Sequence, residues 1–212
     1  YEGSSWGKIV DIMIQSKCMN PVIFMDELDK ISDTPKGEEI AGILTHLTDT
    51  TQNDKFHDKY FANVDFNLSK ALFIFSYNDE SKVNPILKDR MYRIHTGGYD
   101  KAQKTIIANK YLIPKIEKNI NFEKGDITIE DGVLQHIIDN YTENEKGVRN
   151  MKRCLEIIYA KLNLYRLMTP GSSLFKKEKT IDVSFPFNIT QEVVKKLIIK
   201  GGKPSIPFGM YV

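Results

Sequence analysis

The stretch Asn20-Pro21-Val22-Ile23-Phe24-Met25-Asp26-Glu27-Leu28-Asp29-Lys30 decides how this chain is read. A turn pair leads into four consecutive apolar residues, which stop at two adjacent carboxylates. A run this short and this apolar predicts a strand buried on both faces, the kind a parallel sheet requires. A second run of the same character, Ala71-Leu72-Phe73-Ile74-Phe75, stops at Ser76-Tyr77-Asn78. Between them, Glu38 to Leu47 carries Ile40, Ile43, Leu44 and Leu47 at helical spacing, so strand, helix and strand make a βαβ-like unit. The segment from Thr48 to Ser69 is a polar, loop-rich addition to it. Ahead of the first run, Lys8 to Met19 has helical density and ends at the Asn20-Pro21 turn.

Beyond the second run, Tyr92 to Thr96 reads as a third strand and Gly97-Gly98 as punctuation, after which the pattern turns helical. Lys101 to Ile116 is one helix, closed near Pro114. Thr128-Ile129-Glu130-Asp131 reads as a capping box ahead of the stripe Val133, Leu134, Ile137, Ile138 and Tyr141. Val148, Met151, Leu155, Ile158 and Leu162 alternate by three and four, giving a helix after Gly147. The tail holds a strand from Thr180 to Phe185 and a helix from Gln191 to Ile199, with Thr190 as N-cap. The expected division is residues 1–97 as an α/β portion, 98–204 as a mainly helical portion, and 205–212 as a tail.

The chain has 212 residues, enough at about 150 per domain for one large or two modest domains. Thirty basic side chains against 28 acidic ones leave a net charge of +2. That balance argues against an electrostatic grip on nucleic acid. The apolar runs fall far short of the ~18 residues of a membrane span, so no membrane partner is expected. Cys18 and Cys154, read as buried thiols, are too few for a stapled secreted fold and point to the cytoplasm or another reducing intracellular compartment. His46, His57, His95 and His136 show no metal-site spacing, and no site built from protein ligands alone is expected.

Ligands of open α/β sheets sit at the carboxyl ends of the strands, which here are Asp26-Glu27 and Asn78. One carboxylate there suits a hydrated Mg²⁺, and the next can polarise a water that Asn78 orients. Strands also end in acids simply because loops are polar, so taken alone the pair has two readings.

The order of motifs adds to this. Tyr1-Glu2-Gly3-Ser4, the stretch from Asn20 to Lys30, Asp65-Phe66-Asn67-Leu68-Ser69 and Ser76-Tyr77-Asn78 resemble the AAA+ ATPase module of Lon proteases. So do Leu87-Lys88-Asp89-Arg90-Met91, Gly98-Tyr99, Leu112-Ile113-Pro114-Lys115 and Gly147-Val148-Arg149, ending near Gly202-Lys203-Pro204. The resemblance implies an α/β AAA+ core, a partial parallel sheet flanked by helices, followed by a helical AAA+ lid. It implies ATP and Mg²⁺, with Asp26 holding the ion through water and Glu27 as catalytic base, the Walker B pair. Asn78 matches sensor 1, Arg90 the arginine finger that reaches a neighbouring subunit, and Arg149 sensor 2, a nucleotide-binding residue of the lid. Tyr1 and Gly3 match the pore loop that grips substrate, and Thr34-Pro35-Lys36-Gly37 falls near a second pore loop. The implied partners are copies of the chain in a ring, a hexamer in the family, and unfolded protein substrates.

The sequence departs from the family at two points. No phosphate-cradling P-loop is present: Gly3-Ser4-Ser5-Trp6-Gly7-Lys8 is too short between its glycines, and Ile9 stands where the hydroxyl belongs. Only Ser205 to Val212 follow Pro204, where the family continues into a peptidase domain with a Ser-Lys dyad, so peptidase activity is not assigned to this chain. The chain opens on Tyr1 without a leader, and the expectation is that it is the later portion of a longer polypeptide. Two rivals to the ATPase reading stand: a scaffold that keeps the fold without hydrolysis, and a nucleic-acid-directed AAA+ motor.

Overall fold

In a computed structural model, the structure describes residues 5–31, 34–61, 63–168 and 181–198. The chain divides into two compact units, one through Ile94 and one from His95.

In the first unit, α1 (Lys8–Ser16) buries Val10 and Met13 and ends where Lys17 turns left-handed. It stops short of the expected Met19. Strand β1 (Val22–Met25) leads through a 3₁₀ turn, Leu28–Lys30, to α2 (Pro35–Thr48). Thr34 caps α2 by accepting the Gly37 N–H at 3.2 Å, and Pro35 supplies the pre-set first turn. Thr34-Pro35-Lys36-Gly37 is therefore a helix start. The polar addition contains a small antiparallel hairpin, β2 (Phe56–His57) with β3 (Asp65–Phe66), that hydrophobic patterning did not reveal. Strand β4 (Leu72–Phe75) and α3 (Pro85–Asp89) complete the unit.

β1 and β4 pair in parallel, Val22 with Leu72 through Met25 with Phe75. The expected burial on both faces does not hold. Ile23 is buried and Met25, Phe73 and Phe75 pack against the core of Met13, Leu44, Leu47, Leu68 and Leu87, whereas Val22, Phe24, Leu72 and Ile74 are 43–62% exposed. Among the described residues, the helices of this core cover one side of the two-stranded sheet. Period-two alternation then divides each run between a packed face and an open one.

Tyr92 to Thr96 is not a strand. Its backbone has no ladder partner among the described residues, and Tyr92 is 92% exposed. Without pairing, alternating apolar residues have no reason to extend.

The second unit begins with α4 (Lys101–Ile107), capped by a reciprocal box in which Asp100 and Gln103 exchange side-chain-to-backbone bonds. A π-helical turn, Ala108–Leu112, joins it to α5 (Ile113–Asn119). The expected stop at Pro114 fails because this turn resets the hydrogen-bond register. The missing proline N–H then falls in the first turn of a new α segment, where it is tolerated.

Thr128 does not cap a helix; it lies in β5 (Ile127–Ile129), which pairs in parallel with β6 (Phe187–Ile189). Helix α6 (Asp131–Tyr141) starts at Glu130 without a side-chain cap. α7 (Arg149–Leu167) and α8 (Gln191–Leu197, capped by Thr190) complete the unit. The tail strand expected over 180–185 is displaced to Phe187–Ile189, where β5 supplies its partner; Ile181 to Phe185 is irregular. Leu134, Ile137, Met151, Leu155, Ile158, Leu162, Ile189 and Val194 form one core, as the two helical stripes predict.

Cys154 is buried in this core, but Cys18 is exposed in the turn after α1, against the expectation of two buried thiols. Burial, with Glu145 nearby, pushes the Cys154 thiol up to about 11. At pH 8 its thiolate fraction is roughly one part in a thousand. Iodoacetamide on the native protein should therefore label Cys18 alone within minutes, and both cysteines after denaturation; mass spectrometry of the labelled peptides gives the count.

Candidate functional site

The parallel ladder runs one step beyond the strands. The Ser76 amide donates to the Met25 carbonyl at 3.0 Å, which carries the alignment of Met25 with Phe75 on to Asp26 and Ser76. The Ser76 hydroxyl donates to Asp26 Oδ1, and the Glu27 amide reaches the same oxygen at 3.0 Å. Neither contact uses Oδ2. An exposed carboxylate with one oxygen fixed and the other open to solvent suits a hard cation that keeps part of its water shell.

Glu27 follows with φ 57° and ψ 46°, a left-handed conformation for a residue that carries a Cβ. Two backbone hydrogen bonds hold it there. The Leu28 N–H donates to the Ser76 carbonyl at 2.9 Å and the Lys30 N–H to the Glu27 carbonyl at 2.9 Å, closing the 3₁₀ turn. The Glu27 side chain is exposed beside Asp26, free of the packing that would bury its charge. Backbone strain of this kind collects where a side chain must be aimed.

Asn78, two residues past Ser76, is also exposed at this end of the sheet. Behind it lies Asp29, 4% exposed. Burial pushes the Asp29 carboxyl up, but the amides of Asn78 and of Asp29 itself, with the Lys30 ammonium at 3.5 Å, bring it below its ordinary value. Asp29 thus lies buried in the turn after β1 with the Lys30 ammonium as its ion-pair partner. Asp26, Glu27 and Asn78 are brought together at one sheet edge, and Ser76 and Asp29 join them. These two were missed because their roles come from strand register and burial; aligning the two apolar runs in parallel at their carboxyl ends would have placed Ser76 opposite Asp26.

Arg90, at the end of α3, turns back onto the C-terminal end of α2. Its Nη1 donates to the Thr45 carbonyl at 2.6 Å, and its Nη2 pairs with Asp49 Oδ2 at 3.0 Å. Arg93, by contrast, pairs with Glu80 at the surface.

Arg149 belongs to the second unit, exposed at the first residue of α7. Glu145 caps that helix, accepting the Asn150 and Met151 amides at 2.8 and 2.9 Å. The segment before it is pinned by the Tyr99 amide on the Lys146 carbonyl at 2.9 Å. Gly98 permits this approach, since a Cβ there would meet Lys146 backbone and side-chain atoms at 2.9–3.3 Å. Tyr1 and Gly3 lie outside the described residues, as do Gly202, Lys203 and Pro204.

Residues 118–170 match the Lon protease AAA+ ATPase lid domain. The Lon protease homolog of Acanthamoeba polyphaga mimivirus is 39% identical over 180 residues, covering 84% of this chain and 18% of that protein. The Lon protease of Aquifex aeolicus is 36% identical over 198 residues, 93% of this chain and 23% of the relative. The mitochondrial Lon protease homolog of Caenorhabditis elegans is 37% identical over 164 residues, 77% of this chain and 17% of the relative. The chain spans about a fifth of the length of the curated relatives it matches.

The strain at Glu27 is measurable. Glu27→Gly should be more stable than Glu27→Ala by about 1 kcal/mol, since glycine adopts the left-handed conformation without the Cβ penalty. Urea unfolding of the two variants decides it, and equal stabilities would remove the strain assignment.

Proposed function

The chain belongs to the Lon protease family as AAA+ sequence, and from that premise we propose that it is the part of an ATP-driven protein unfoldase that activates water and senses nucleotide. The observation that carries this reading is the Asp26-Glu27 pair, fixed by Ser76 across two parallel strands with Asn78 beside it.

Phosphoryl transfer asks a protein for positioning and charge neutralisation more than for covalent chemistry. Asp26 would hold Mg²⁺ through water by the carboxylate oxygen that Ser76 leaves unengaged, and the ion would supply neutralisation of phosphate charge. Glu27 accepts the proton of the attacking water as general base, and its exposure leaves it accessible to that water. Asn78 orients the same water by hydrogen bonding. Arg90 serves the nucleotide of the neighbouring copy in a ring, a hexamer by family resemblance, and Arg149 contacts nucleotide from the lid. Tyr1 and Gly3 grip unfolded polypeptide. Residues 1–97 are the core portion, 98–204 the lid, and 205–212 a tail.

Hydrolysis would drive unfolding or translocation of protein substrates, and proteolysis where a peptidase domain accompanies the module. Two free cysteines and a net charge of +2 favour a reducing compartment and a protein substrate over nucleic acid. No helix among the described residues is long and apolar enough to cross a membrane.

In the full-length protein, Glu27→Gln should keep ATP affinity within about threefold and lower turnover at least 100-fold. Unchanged turnover would remove Glu27 as base, and a full-length protein with no ATP affinity would establish the scaffold instead. Arg90→Ala should be inactive alone and regain activity when mixed with Glu27→Gln subunits, because each then supplies what its neighbour lacks.

A further inference from the structure

The ion pair at the end of α2 is more elaborate than a surface contact. Asp49 is the C-cap of α2, and its Oδ1 accepts both the Thr51 amide at 2.9 Å and the Thr51 hydroxyl at 2.6 Å. That leaves Oδ2 for Arg90 Nη2 at 3.0 Å. The second guanidinium nitrogen, Nη1, is fixed on the Thr45 carbonyl in the last turn of the same helix, where the helix dipole favours a cation. The side chains of Arg90 and Asp49 are 30% and 17% exposed, against 52% and 37% for Arg93 and Glu80. The Thr51 hydroxyl and amide, together with the Arg90 guanidinium, hold the Asp49 carboxyl below its ordinary range against the opposing effect of burial, so it stays ionised at neutral pH.

We propose that Asp49, itself oriented by Thr51, is the positioning residue of Arg90: it sets the guanidinium plane in advance, so that the N–H groups not engaged in these contacts are presented to the neighbouring subunit's phosphates. A guanidinium carries five N–H donors in a rigid fork. Two are taken here by groups of its own chain, one on each terminal nitrogen, which fixes both position and plane and leaves three. An arginine on a free side chain would have to give up its rotamer freedom at each encounter with nucleotide; one already docked has done so. The inference rests on the reading of Arg90 as a finger acting in trans, and it assigns a second residue to that role.

The test is ATP turnover by the full-length protein carrying Asp49→Ala, Asp49→Asn, Thr51→Val, Arg90→Ala or the Arg90→Ala/Asp49→Ala pair. The two Asp49 variants should lose about 10-fold or more in kcat with KM for ATP within about twofold, and Thr51→Val should lose less. The double variant should be no slower than Arg90→Ala alone. Equal mixing of Asp49→Ala with Glu27→Gln should restore activity, which a folding defect would not allow. Wild-type kcat in Asp49→Asn, a defect confined to KM, or additive losses in the double variant would overturn the assignment of Asp49 while leaving the finger intact. Wild-type turnover in Arg90→Ala would remove the finger reading itself, and this proposal with it.

Discussion

Four parallel residue pairs between Val22–Met25 and Leu72–Phe75 set the geometry on which the site depends. In a parallel ladder both strands end at the same edge, and matching their lengths places the first residue after one beside the first residue after the other. Asp26 therefore meets Ser76, and the serine hydroxyl fixes one carboxylate oxygen while leaving the second to solvent. The next peptide must then turn sharply to form the 3₁₀ turn. That turn forces Glu27 into a left-handed conformation with its carboxylate exposed. A one-residue slip of this pairing would exchange the faces of the strand that slipped and part Asp26 from Ser76 together.

Arginine placement depends on a different constraint, the free carbonyls at the end of an α-helix. The last turn of α2 offers Arg90 the Thr45 carbonyl, and the capping residue Asp49 adds a carboxylate whose other oxygen is already occupied by Thr51. In the second unit, the start of α7 is organised by the opposite need. Two of its free amides are taken by Glu145, and the neighbouring Lys146 carbonyl receives the Tyr99 amide beside a glycine that leaves it room. Helix ends thus hold both arginine positions, one through carbonyls and one through amides.

Much of this was legible before any coordinates. Helical stripes such as Val133, Leu134, Ile137 and Ile138 were readable because a buried face repeats at 3.6 residues whatever it packs against. The positions of Asp26, Glu27 and Asn78 at the strand ends were readable because each lies within three residues after an apolar run. Errors fell where a local pattern needed a distant partner to be realised. Tyr92 to Thr96 has strand-like alternation without a ladder, and Phe187–Ile189 became a strand because β5 was there to pair with it. Pro114 failed as a helix stop because the π turn ahead of it altered the hydrogen-bond register.

The sequence by itself determined the α/β-then-helical order, the two strands and the residues at their ends, since these follow from composition and periodicity along the chain. Only the tertiary structure decided that the strand pair is covered on one face among the described residues, that Ser76 fixes Asp26, and that Arg90 docks on Asp49 and Thr45. Each of these is a contact between segments far apart in the chain, and its existence depends on register and packing that local propensity does not encode.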